Sequence, residues 1–165
     1  MTTEINHAEA QAHAKAAHIV ELVAALNCDY SRLEDLREER EELSAALDAV
    51  NIASAHGLEQ ERRAFAALAA WDNENAEELS TLEHEAGDCT SQDEARERIQ
   101  EDPLSVEVRS GWDIVGGDLS AAEFRIVLCT GGPHVEIVGD LDGYGIPHRA
   151  WLQYQDWGTP MTQFL

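Results

Sequence analysis

At Pro103 the texture of this chain changes, and that change constrains the fold more than any other feature. Before it, Ala, Glu and Leu dominate, which favours helix. After it come aromatics, glycines and β-branched residues, with apolar and polar positions alternating. A chain written this way is expected to be α+β. An N-terminal helical hairpin or bundle should occupy 1–102, and a small antiparallel four-stranded sheet should occupy 103–165. At 165 residues the chain is long enough for one domain, or for one domain with an extension.

Helical periodicity places four segments before Pro103. The first, 3–26, carries Ile19, Leu22, Val23 and Leu26 on one face. The second, 31–56, opens on Ser31-Arg-Leu-Glu34, a capping-box pattern. Leu33, Leu36, Leu43, Leu47 and Val50 follow at heptad spacings, and Gly57 suits a left-handed cap. The third, 58–86, continues with Phe65, Leu68, Ala76, Leu79 and Leu82. Asp72 and Asn73 interrupt it, so a kink or break is expected at 71–75. Gly87 ends it. The second and third segments are expected to pair as an antiparallel hairpin. Ser91-Gln-Asp-Glu94 repeats the capping pattern and opens a short helix, 91–101, that Pro103 stops.

Strands are expected at 104–109, 124–129, 135–138 and 150–154. Between them lie Gly116-Gly117, Gly131-Gly132-Pro133 and Asp142-Gly-Tyr-Gly145, all turn signals, so an antiparallel meander is the simplest arrangement.

The charge narrows the partners. There are 33 acidic residues against 11 basic, for a net charge of −22. Residues 1–102 hold 25 acids and 8 bases, and residues 103–165 hold 8 and 3. Such a surface repels nucleic acid and anionic membrane, because phosphate neutralisation needs Lys and Arg. A basic protein surface is favoured instead. No run of apolar residues is long enough to span a bilayer, and the N-terminus has no secretory pattern. Cys28, Cys89 and Cys129 are far apart and odd in number, which suggests a reducing cytoplasm.

Little reads as chemistry. His7, His13 and His18 are not spaced to share a metal, and His84 with Cys89 supplies too few ligands, so no metal or cofactor is expected. The glycine pairs lack phosphate-loop spacing, and Asp140-Leu-Asp-Gly143 lacks the later ligands of a calcium loop. Cys129, His134 and His148 could meet across a hairpin as a nucleophile and base, although a Cys in an apolar run usually packs as a small hydrophobe. No catalytic residue is assigned. The strongest constellation is the carboxylates lying off the Leu stripe, with Glu34, Glu38, Glu41, Glu42, Glu77 and Glu78 the expected partner-binding set. Helical residues rise about 1.5 Å each and duplex DNA carries a charge per roughly 1.7 Å, so an acidic helix can imitate nucleic-acid charge density. Trp151, Tyr154 and Trp157 are candidate aromatic anchors.

The strings Pro103-Leu-Ser-Val-Glu-Val-Arg-Ser-Gly-Trp112, Cys129-Thr-Gly-Gly-Pro133 and Trp151-Leu-Gln-Tyr-Gln-Asp-Trp-Gly-Thr-Pro160 resemble a segment of small acidic proteins encoded by phages and plasmids. The resemblance covers the last third of the chain and implies a mobile-element origin. Such proteins include anti-CRISPR and anti-restriction inhibitors, some of which are nucleic-acid mimics. Three readings follow. A non-catalytic inhibitor of a host defence complex, CRISPR-Cas or a restriction enzyme, comes first. A structural or assembly protein, homodimeric through its heptad-like helices, is the alternative. An enzyme using Cys129 and His134 is the third.

Overall fold

The computed structural model describes residues 6–50, 55–112, 114–117 and 119–165. Four helices come first: α1 (His7–Asn27), α2 (Tyr30–Asp48), α3 (Ala55–Ala86) and α4 (Gln92–Glu101). Five strands follow: β1 (Ser105–Ser110), β2 (Ala121–Cys129), β3 (His134–Leu141), β4 (Pro147–Gln155) and β5 (Thr162–Gln163). The class is α+β, with one strand more than expected. β5 has two residues, too few for an alternation to be read. The chain forms two compact units, Val23–Ala95 and a second that joins Met1–Leu22 to Arg96–Leu165. The division falls within α1 and within α4, whereas the texture change at Pro103 marks where helix gives way to strand.

In the unit Val23–Ala95, α2 and α3 form an antiparallel hairpin. Arg32 reaches Glu78 while Arg40 reaches Asp72, so numbers rise on one helix as they fall on the other. Leu33 and Leu36 of α2 are buried with Cys28, Leu79 and Ala86, and Tyr30, Trp71 and Leu82 pack around them. The heptad-like stripe is therefore used within the chain over its first half.

Several local expectations are corrected. α2 is capped by Asp29, whose carboxylate accepts the Arg32 N–H at 3.0 Å, and not by Ser31. Both types suit an N-cap, but Asp also places a negative charge at the positive end of the helix dipole. α2 stops at Asp48, where the Ala49 N–H closes onto the Ala45 carbonyl and the Val50 N–H onto that of Leu47. Gly57 is thus not its cap but a buried position inside α3. Residues 3–5 and 51–54 of the expected helices lie outside the described residues.

Nor does α3 break at 71–75. It runs for 32 residues, with Asp72 and Asn75 both engaged in side-chain hydrogen bonds. The Asp72 carboxylate accepts from Arg40 at 2.8 Å, and the Asn75 side chain donates to the Trp71 carbonyl at 3.1 Å. The first turns of α3, with Leu58 and Phe65 exposed, extend past the end of α2. Gly87, at φ 56°, ends the helix as expected. The second capping pattern also forms. Ser91 Oγ accepts the Glu94 N–H at 3.2 Å, and the Glu94 carboxylate reaches back to the Thr90 N–H at 2.7 Å.

In the second unit the strands form one antiparallel meander in the order β1-β2-β3-β4-β5. The part of α1 belonging to this unit covers one face. Ala12 is buried against Leu128 and Val135, with Ile19, Ile126, Ile137, Leu152, Tyr154 and Phe164 packed around them. Of the expected face of α1, Val23 is exposed, and the fully buried positions of the helix are Ala8 and Ala12. Alanine lets a helix approach a sheet closely, so Ala8 and Ala12 mark its inner side together with Ile19. Lys15 and His18 both reach Asp102, at 3.1 and 3.2 Å.

Candidate binding surfaces

The two units carry different surfaces. On α2, Glu34, Glu38, Glu41 and Glu42 are spaced i, i+4, i+7 and i+8, which puts them on one stripe, and Asp48 continues it. All five are exposed, and none has an ion-pair or hydrogen-bond partner among the described residues. The stripe lies opposite the buried Leu33 and Leu36 and spans about 21 Å at 1.5 Å per residue.

Carboxylates on the flanks of the hairpin behave otherwise. Glu78 receives a bidentate fork from Arg32 at 3.1 and 2.9 Å. That fork holds its carboxyl below the ordinary glutamate value and raises the guanidinium. Arg37 takes Glu83 at 3.2 Å, Arg40 takes Asp72, and the Trp71 indole donates to Glu39 at 2.9 Å. The arginines of α2 therefore clamp the hairpin and leave the outer ridge alone. Of the six carboxylates singled out in the sequence, four form the ridge, Glu77 is exposed on α3, and Glu78 belongs to the clamp.

The sheet face opposite α1 holds a hollow of about 480 Å³, which the sequence did not signal. Register explains its chemistry. Glu107, Arg125, Val138 and Trp151 lie side by side across β1 to β4, and the next row carries Arg109, Glu123, Asp140 and Arg149. Alternation along each strand brings these residues to one face. Arg109 pairs with Glu123, Arg125 with Glu107, and Arg149 with Asp140. Arg149 also stands over the Trp151 ring, 5.3 Å from its centre. Glu136, only 3 % exposed, accepts from Gln153 at 2.6 Å, and its other oxygen lies 2.8 Å from His134 Nε2. Every charged side chain lining the hollow thus has a partner, so its polar groups serve the sheet itself.

The aromatic anchors are not brought together. Trp151 borders the hollow, Tyr154 packs on the opposite face with Val135, and Trp157 stands exposed in the turn after β4. Cys129, His134 and His148 do not converge either. The Cys129 thiol packs in the core and donates to the Pro133 carbonyl at 3.5 Å, His134 bonds Glu136, and His148 is exposed on β4. Asp142 is a turn-former, since one oxygen accepts the N–H groups of Tyr144 and Ile146, both at 2.9 Å, which lowers its pKa. Among the described residues, no three His, Cys, Asp or Glu side chains are grouped to hold a metal. No described helix is long and apolar enough to cross a membrane.

The geometry defines an α+β protein with a row of unpaired carboxylates along the outer ridge of α2. A scan against protein-family models, a search of curated proteins and a search of solved structures each returned no match.

Proposed function

We propose that this chain is a non-catalytic binding protein whose α2 ridge docks in a basic, nucleic-acid-binding surface of another protein. One observation carries the reading. Glu34, Glu38, Glu41, Glu42 and Asp48 stand outward without partners, while the hollow's charges and the flanks' arginines are internally matched. An unpaired row of like charges repels itself and gains most from a cationic partner. The partner class that fits best is a host defence complex, CRISPR-Cas or a restriction enzyme, in the bacterial cytoplasm, with the ridge standing in for a phosphate backbone.

The test is a pull-down from bacterial lysate at low and high salt, followed by nuclease inhibition by the purified chain. Binding should weaken steeply with salt. The quadruple variant Glu34→Lys, Glu38→Lys, Glu41→Lys, Glu42→Lys should lose it, while Cys129→Ala should retain it. Equal affinity in the quadruple variant removes the ridge from the function.

A further inference from the structure

The sheet has two edges, and they are not alike. β5 is a two-residue strand. β1 is six residues long and, among the described residues, pairs only with β2, so its outer side presents backbone donors and acceptors to any strand that aligns with it. It is also apolar on one face. Leu104, Val106 and Val108 are 61, 66 and 63 % exposed, and Trp112, just beyond the strand, is fully exposed. Folded chains usually blunt such an edge.

We propose that β1 pairs antiparallel with β1 of a second copy of this chain, about a two-fold axis at Val108. The strand's own sequence selects this register. With the axis at Val108, Glu107 faces the partner's Arg109 and Arg109 faces the partner's Glu107. Val108 meets the partner's Val108, and Leu104 lies level with the partner's Trp112. Within one chain Glu107 already pairs with Arg125, and Arg109 with Glu123. Across the junction the row therefore reads Arg125, Glu107, the partner's Arg109, the partner's Glu123, with unlike charges adjacent at every step. Moving the axis to Glu107 sets two glutamates opposite each other, and moving it to Arg109 sets two arginines opposite each other. A shift of half a step pairs the apolar face with the charged one. The dimer is isologous, and the two sheets continue as one.

The experiment is light scattering of the full chain at micromolar concentration, with circular dichroism of each sample. The wild type should show twice the 18.2 kDa chain mass. Glu107→Arg alone and Arg109→Glu alone each place like charges across the axis and should run as monomers. Mixed in equal amounts they are complementary and should recover the dimer mass. Hydrogen exchange of wild-type β1 amides should quicken on dilution, a readout that needs no variant. A monomeric wild type overturns the proposal and leaves the edge to a strand of another protein. A dimer that persists in either single variant overturns it in favour of another surface, and so does a mixture that stays monomeric.

Discussion

At the scale of single residues, close approaches decide what can be changed. Gly139 of β3 faces Phe124 on one side and Ala150 on the other. A Cβ there would lie 2.1 Å from the Arg149 carbonyl oxygen and 2.6 Å from the Phe124 ring. The backbone atom cannot swing aside as a side-chain tip can. Gly139→Ala should therefore destabilise the protein by about 1–3 kcal/mol, as overpacking does, and urea denaturation measures it. Tyr30 is the second such residue. Its hydroxyl donates to the Ala25 carbonyl at 2.9 Å, and burial, aided by the neighbouring Cys89 and Cys28 thiols, pushes its pKa up to about 12. A phenol whose folded value lies above its ordinary 10.0 stabilises the fold fully below pH 10 and loses that contribution as the pH rises through about 12. The stability difference between wild type and Tyr30→Phe should shrink over that window. A difference that stays flat with pH would show that the phenol is not held in its neutral form.

At the scale of elements, the caps and clamps show how far local pattern reaches. Ser31-Arg-Leu-Glu34 has a capping-box signature, yet Asp29 caps α2 two residues earlier. Both candidates are visible in the sequence, and only the path of the chain after α1 chooses between them. Asp29→Ala should cost about 1 kcal/mol, the usual value of an N-cap, whereas Ser31→Ala should cost a few tenths at most. Thermal unfolding separates the two, and equal losses would restore Ser31 as the cap. The strands were legible because alternation and glycine turns are local signals. The end of α2 was not, because Gly57 reads equally as a cap and as a tolerated helix position. Asp72 interrupts the apolar pattern of α3 without breaking the helix because its partner, Arg40, lies thirty-two residues away in sequence, beyond the reach of local pattern.

At the scale of the whole molecule, the large negative charge is not evenly spent. Arginines at 32, 37 and 40 are few, and each is committed to the facing helix. The outer ridge keeps its full charge as a consequence, which is why the ridge carries the proposed function and the hollow does not. The hollow is the better-shaped concavity, but its charges answer one another across strands. Concavity alone would point to the hollow, whereas unpaired charge points to the ridge. The open β1 edge adds a surface in the other unit, one that depends on self-complementary charge and not on net charge.

Composition and periodicity alone determined the α+β class, the helical hairpin, the meander after Pro103 and the outward placement of Glu34, Glu38, Glu41 and Glu42, because each follows from interactions within a turn or between neighbours along the chain. Pairing between distant residues settled what remained. Strand register assembled Glu107, Arg109, Glu123, Arg125 and Glu136 around one hollow, and the packing of α2 on α3 gave Glu78 to Arg32. A one-residue change of strand register would take that hollow's charge pairs apart, and no local stretch of sequence encodes either pairing.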